Sequence, residues 1–432
     1  MERVLIISNN AISTVDNNGK TIRSLLGGFP RENIAQFYIA ANAYPDEEVC
    51  GSYYRITDSQ ILKSILTFRL KTSNSHSVST STTEFNHMDS PKRGLQSLKD
   101  FKGISSNIRE LLWSLNTWDT AELCDWISNF RPTCIFAVLG DCGFMHDIVL
   151  KLSERYQLPM AVFFTDDYVI NDNAAGLLKK LHQRLIRKKY KKILQVADKA
   201  FVIGDLMKEA YTAKYNRPFG VLVNGIDFNK ESNSIRRINP DDEIIISFIG
   251  GIHLNRWKTI VRLGSLLKKL PEYNVKIKVF TISTPETNIL EQFEECKIEY
   301  CGALNQQQVD EQIKQSHILL HVESFEKAQR QYTHFSISTK IPEYLASNRG
   351  IIAFGPHEIA SIRIFSDNSF GCVLTDMDDE TIMIDKLRSY LNNYNSIDFN
   401  LQYNFAKDHF SRNEMLLHKL LNINILPPPM CI

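Results

Sequence analysis

The chain has 432 residues, 43% of them hydrophobic and 23% charged, and its 50 Lys and Arg against 49 Asp and Glu leave a formal net charge of +1. That balance excludes a generally basic nucleic-acid binder, and the length favours two domains over one. Eight cysteines without a CxxC pair offer no zinc or redox motif and point to a reducing, cytosolic setting.

The first run, VLIIS (4–8), lies in MERVLIISNN and turns polar at once, which reads as a buried first strand and not a signal peptide. No window approaches about 18 consecutive apolar residues, so no segment is expected to span a membrane. NNGKTIR (17–23) follows as a glycine-containing turn, where Gly19 lets the backbone approach an acceptor or a sugar. It is no P-loop, because the glycine such a loop carries upstream of the Gly-Lys pair is absent, and ATP hydrolysis is rejected on that ground. After AQFYIA (35–40), the stretch 72–94, TSNSHSVSTSTTEFNHMDSPKRG, is rich in Ser and Thr and reads as a mobile surface loop, with a lid as the other reading.

CIFAVLG (134–140) ends in Asp141 and leads to His146, and MAVFFT (160–165) ends in Asp166-Asp167-Tyr168. The segment 177–194, LLKKLHQRLIRKKYKKIL, carries eight Lys and Arg and no acid, with Leu178, Leu181, Leu185 and Ile186 on one helical face that Tyr190, Ile193 and Leu194 extend. It suits an anionic lipid surface or a phosphate-bearing acceptor, and equally a solvated helix packed on its own domain. AFVIG (200–204) and GVLVNG (220–225) close this series.

The polar connector 229–243, NKESNSIRRINPDDE, separates it from a second series: IIISFIG (244–250), VKIKVFT (275–281), IEYCG (298–302), ILLHVE (318–323), GIIAFG (350–355) and CVLT (372–375). Unalternating apolar runs suit strands covered on both faces, and the helical segments 143–156, 205–215, 256–270 and 306–316 between them make βαβ units. The expected architecture is α/β, with two Rossmann-like domains (1–228 and 244–397) facing a central cleft and ligands at the carboxyl ends of the strands. Residues 398–432 read as a helix to about Leu421 and then a Pro-rich tail.

HFSISTKIPEYLAS (334–347) enters a helix with Pro342 in its first turn and with Ser338 and Thr339 as caps. A helix start favours an anion, and Lys340 adds a full charge, which suits a diphosphate. Glu343 would repel that diphosphate but suits a vicinal diol such as a ribose. A plain capped surface helix explains the same residues. In GGIHLNRWKTI (250–260), Gly250 and Gly251 end a strand and Arg256 and Lys258 start a helix, a second phosphate candidate in which the fork of Arg256 is preferred. A solvated basic turn is the alternative.

STKIPEYLASNRGIIAFGP, with ADKAFVIGDLMKEAYTAKY (197–215), VNGID (223–227) and CGALNQQQVDEQIKQSHILLHVES (301–324), resembles the retaining GT-B glycosyltransferases of the family 4-like group over most of 130–375. The resemblance implies a GT-B fold and a metal-independent transferase that moves a sugar from a nucleoside-diphosphate sugar to a glycan or lipid-linked acceptor with retention, in surface polysaccharide biosynthesis. No cofactor is implied beyond the nucleotide-sugar co-substrate. It implies that Glu343 holds the donor ribose, that Gly250, Gly251, Ser338, Thr339 and Lys340 lie by the diphosphate, and that Arg256 or Lys258 stabilises the leaving group. His146 and Asp166 would orient the sugar or acceptor, with Asp141 and Asp167 on the acceptor side; a lone helical histidine is also a common core residue. The sequence departs from the family where a first glutamate belongs, here Phe335, and Glu323 is a candidate substitute. A cytoplasmic protein, peripheral on the inner face of the membrane through 177–194, is the expected setting. A GT-B sugar-nucleotide epimerase and a non-catalytic sugar-binding subunit are the alternatives.

Overall fold

The computed structural model describes residues 2–14, 17–40, 44–66, 106–170, 176–228, 234–239 and 242–411. The 72–94 stretch, residues 229–233 and 240–241 of the connector, and the Pro-rich tail lie outside the described residues. The chain divides into two compact units between Val223 and Asn224.

The first unit runs β1 (Val4–Ser8), α1 (Asn17–Leu25), β2 (Ile34–Tyr38), β3 (Ser52–Arg55), α2 (Asp58–Leu66), α3 (Ser106–Ser114), α4 (Ala121–Phe130), β4 (Cys134–Leu139), α5 (Gly143–Tyr156), β5 (Met160–Phe164), α6 (Leu177–Val196), β6 (Lys199–Val202), α7 (Asp205–Tyr215) and β7 (Gly220–Val221). Its strands form one parallel sheet in the order β3-β2-β1-β4-β5-β6-β7. β1, β2, β4 and β5 are buried at every position, which is why their sequences show unbroken apolar runs. β3 was not expected: SYYR is a short, half-buried edge strand without such a run.

The second unit runs β8 (Ile244–Ile249), α8 (Arg256–Leu267), β9 (Val275–Phe280), α9 (Thr287–Glu295), β10 (Ile298–Gly302), α10 (Gln306–Gln315), β11 (Ile318–Val322), α11 (Lys327–Thr333), α12 (Ile341–Leu345), β12 (Gly350–Phe354), α13 (Ala360–Asp367), β13 (Cys372–Leu374), α14 (Glu380–Asn392) and α15 (Phe399–Phe410). Its parallel sheet has the order β10-β9-β8-β11-β12-β13. Ile246, Phe248, Leu263, Val279, Leu320 and Phe354 belong to its core, each contributing about 1.5–3 kcal/mol by burial. α10 starts on a capping box between Asn305 and Gln308. α15 closes at Phe410, where Ser411 turns extended and pairs with Ile226, whose N–H bonds the Phe410 carbonyl at 2.8 Å; residues 412–421, expected to continue a helix, lie outside the described residues.

In each sheet the strand order reverses once near the middle, between β1 and β4 and between β8 and β11. Connections leave these neighbouring strands on opposite sides, so their carboxyl ends are the natural ligand positions of an open α/β sheet.

Candidate functional site

At the second sheet's reversal, β8 continues to Gly250, whose N–H bonds the Phe280 carbonyl at 3.0 Å. The chain then turns through Leu254 and Asn255, both left-handed at φ 59, before α8 begins at Arg256. Asparagine tolerates that conformation; leucine does so at a cost. Gly251 packs closely on the His253 ring, so a side chain at this position would require that ring to move.

Arg256 reaches across to the end of β11. Its Nε donates to Glu323 Oε2 at 3.2 Å and its Nη2 to Oε1 and Oε2 at 2.9 and 3.1 Å. Glu323 is 2% exposed, so this carboxylate is an interior counter-ion. Its backbone carbonyl accepts from Thr259 Oγ1 at 2.9 Å, and its Oε1 accepts from Ser361 Oγ at 3.5 Å. Ser361 Oγ also lies 3.0 Å from His321 Nε2. Burial raises the Glu323 pKa against the pull of Arg256, and burial together with Arg256 pushes His321 down to about 3. Among the described residues Nη1 of Arg256 has no hydrogen-bond partner, so one edge of the guanidinium is fixed and one donor corner stays available.

The 334–347 segment is tied to the end of β8 by Tyr344, whose hydroxyl stands 3.4 Å from the Ile249 N–H and donates to the Ile249 carbonyl at 3.5 Å. Pro342 sits in the first turn of α12 as expected, but Lys340 occupies the cap position in helical conformation and no side chain caps the helix. Ser338 contributes instead through a turn, its carbonyl accepting from the Ile341 N–H at 3.1 Å and its Oγ from the Lys340 N–H at 3.3 Å. Thr339 follows, half-buried. Lys340 Nζ lies 2.7 Å from Glu343 Oε2, so the two residues to which the sequence gives separate tasks are ion-paired. Phe335 is 4% exposed and packs on the His334 ring. Lys258 pairs with Glu326, which also accepts from Asn255 Nδ2 at 2.6 Å. Each cation of the expected donor site thus carries a carboxylate partner.

In the first unit, a shallow hollow opens at the reversal between β1 and β4, and Asp141 lines it together with Asn10, Asn18 and Tyr168. The other expected residues there are placed differently. Gly19 is buried inside α1, and a Cβ on it would stand 2.5 Å from the Ala11 carbonyl oxygen and against Ser13, so its missing side chain admits the chain's own loop, not a ligand. His146 is fully buried, its ring 5.0 Å from that of Tyr190 and its Nδ1 3.1 Å from the Cys142 carbonyl oxygen. Burial lowers its pKa to about 4, and a neutral core imidazole of this kind touches no substrate. Asp167 accepts from the Val169 and Ile170 N–H groups at 3.0 and 2.9 Å and from the Tyr211 hydroxyl at 2.9 Å, which makes it the anchor of its loop. Asp166 accepts from Thr165 Oγ1 at 3.3 Å, next to a lining residue of the hollow.

Asn10, Asn18 and Tyr168 were not expected here, although an Asn-Asn pair directly after the first buried strand was a legible signal. Among the described residues one group, His357, Glu358 and Asp376, has ligand atoms close enough for a metal ion. Arg330 already sits in it, 2.6 Å from Glu358 and 3.0 Å from Asp376, and a cation there competes with a metal.

No protein-family model matches the chain, and no curated protein matches it. Solved structures do. "Trehalose-6-phosphate from E. coli bound with UDP-2-fluoro glucose" is similar with a TM-score of 0.57 at 10% identity, covering 98% of each chain. WaaG, a glycosyltransferase involved in lipopolysaccharide biosynthesis, is similar with a TM-score of 0.54 at 10% identity, over 98% of this chain and 100% of its own. TarM is matched with a TM-score of 0.49 at 15% identity over 67% of this chain, which spans only 54% of the TarM chain. At these identities the likeness shows the fold, and the fold is GT-B: two parallel α/β sheets, one in each unit.

Proposed function

We propose that the chain is a glycosyltransferase that takes a sugar from a nucleoside-diphosphate donor bound in the second unit and gives it to a hydroxyl of a glycan or lipid-linked acceptor. The observations that carry this reading are the Arg256–Glu323 pair at the reversal of the second sheet and the Lys340–Glu343 pair at the start of α12, whose Tyr344 bonds the end of β8, on a GT-B fold. Arg256 offers its open Nη1 corner to a phosphate oxygen, and Lys340 a point charge beside it. Glu343 accepts from the two ribose hydroxyls, and doing so releases Lys340 to the diphosphate. Gly250, Gly251, Ser338 and Thr339 supply backbone close to the same place.

In the transfer, the bond from the anomeric carbon to the diphosphate oxygen breaks with its electron pair on the phosphate. The acceptor oxygen bonds to the anomeric carbon, and its proton passes to the departing phosphate oxygen. Charge on the leaving group is then the main thing to stabilise, which Arg256 and Lys340 do without a metal. Retention of configuration follows from the family resemblance, as does a part in surface polysaccharide synthesis.

Contact with the inner face of a membrane belongs to the same reading. In α6 only Ile186, Tyr190, Ile193 and Leu194 are buried, while Leu177, Leu178 and Leu181 stay exposed among the lysines. α3 lies against that end, with Asn107 Nδ2 donating to the Leu178 carbonyl at 3.0 Å, and adds exposed Ile108 and Leu111. Apolar side chains within a basic surface suit an anionic bilayer.

Release of nucleoside diphosphate from a panel of nucleotide sugars, with and without acceptor, tests the proposal. Transfer needs both substrates, whereas an epimerase converts donor alone. A binding subunit, favoured by the buried Phe335 where a glutamate was expected, turns over neither.

A further inference from the structure

We propose that the hollow at the reversal of the first sheet seats the acceptor as an uncharged sugar ring, and not as a phosphate-bearing group. This rests on the glycosyltransferase reading and names the acceptor chemistry that reading leaves open.

The lining supplies what a ring of hydroxyls needs. Asn10, Asn18 and Asp141 stand around it, and Ile22 and Leu139 form an apolar wall. Hydroxyls both donate and accept, so amides that do the same, with a carboxylate that accepts, are their complement. Among the described residues the side-chain amides of Asn10 and Asn18 make no hydrogen bond. Asn9, also in the lining, donates from Nδ2 to Cys142 Sγ at 3.3 Å, while its Oδ1 is buried without a partner. Buried polar atoms are nearly always paired, so an orphaned carbonyl at a hollow marks a place for a donor.

Tyr168 gives the aromatic surface that a ring's C–H face packs on. Its ring lies 3.5 Å from where a Cβ on Gly140 would stand, so Gly140 lets it lie against the end of β4. Charge decides between a sugar and a phosphate. None of the described lining residues is Lys or Arg, and the one charged side chain, Asp141, repels a phosphate. Basic side chains stand outside the lining and are already engaged: Arg109 of α3 donates from Nη1 to Cys142 Sγ at 3.0 Å and from Nε to Asp58 at 2.9 Å, and in α6 His182 Nε2 lies 3.1 Å from the Asp141 carbonyl oxygen. A phosphate further along a lipid-linked acceptor would meet α6, with only the neutral ring in the hollow.

The test uses the full chain with saturating nucleoside diphosphate and measures binding of methyl glycosides and of the matching hexose 6-phosphates by calorimetry or ligand-observed NMR. The neutral glycosides are expected to bind at least ~10-fold more tightly than the phosphates, a difference of about 1.4 kcal/mol. Asn18→Ala and Asn10→Ala should each weaken the neutral ligand several-fold with thermal unfolding unchanged, and Asp141→Asn should narrow the discrimination against phosphate. Equal or tighter binding of the phosphates overturns the proposal. So does nucleotide binding with no glycoside binding, or glycoside binding indifferent to all three substitutions. Glycoside binding without any nucleoside-diphosphate binding leaves the hollow standing and removes the transferase reading instead.

Discussion

Arg256 and Glu323 form a two-edged ion pair, with N–O distances of 2.9–3.2 Å, across the place where the second sheet reverses its strand order. Glu323 is almost wholly buried, and the Arg256 side chain keeps 18% of its surface. The carboxylate therefore fixes the plane of the guanidinium and leaves Nη1 without a partner among the described residues. Such a pair adds little net stability, but losing one member strands the other.

Arg256→Ala is expected to cost about 3 kcal/mol in chemical denaturation, because Glu323 is left buried and unpaired. Glu323→Gln should cost less, since the amide oxygen still accepts from the guanidinium. Replacing both, Arg256→Met with Glu323→Leu, should recover most of the stability yet abolish nucleoside-diphosphate binding. That pattern separates holding the fold from holding the phosphate; full nucleotide affinity in the double variant contradicts it.

Gly19→Ala places a methyl group against the Ala11 carbonyl and Ser13. Backbone cannot yield as a flexible side chain can, so a loss of about 1–3 kcal/mol is expected from the shift of the denaturation midpoint. An unchanged midpoint would show that the loop moves freely.

His146 sets part of the acid limit. Its folded pKa, about 4, lies below the ordinary 6.5 of an unfolded chain. Between these values the unfolded state binds the extra proton, so the stability from keeping His146 neutral is complete above pH ~6.5 and lost as pH falls towards ~4. The full effect is on the order of 3 kcal/mol. His146→Phe should flatten the stability profile in that window relative to wild type, read from denaturation midpoints at several pH values; an unaltered slope contradicts the burial argument.

Much of this was legible in the sequence, for a physical reason. Strands covered on both faces need unbroken apolar runs, and every such run from VLIIS to CVLT holds a strand. SYYR escaped because an edge strand has no such requirement. The residues of the expected donor site were visible as chemistry, but their pairing was not. Arg256 and Glu323 are 67 positions apart, and only the sheet brings them together. Lys340 and Glu343, three apart on one helical turn, could have been read as a pair from spacing alone. His146 shows the reverse error: a polar residue near a strand end suggested a ligand, while the fold buries it fully with Tyr190 of α6 packed on its ring.

α6 is expected to carry vesicle binding that weakens with salt. Co-sedimentation with vesicles rich in anionic lipid should fall steeply between low and physiological ionic strength. Replacing exposed Leu177, Leu178 and Leu181 with serine should lower it further without changing the thermal midpoint. No sedimentation with anionic vesicles at low salt removes the membrane contact.

In the proposed donor site Glu343 holds the ribose of a nucleoside-diphosphate donor while Lys340 turns to its phosphates. Thermal stabilisation by a panel of nucleoside diphosphates and their sugars, for wild type and Glu343→Ala, tests this most directly. A ligand at 100 times its Kd stabilises the native state by about 2.7 kcal/mol, a shift easily measured. At least one nucleotide should raise the midpoint of the wild type, and Glu343→Ala should lose most of that rise. If no nucleotide shifts the wild type, or Glu343→Ala responds as the wild type does, the donor site is not where Lys340 and Glu343 meet.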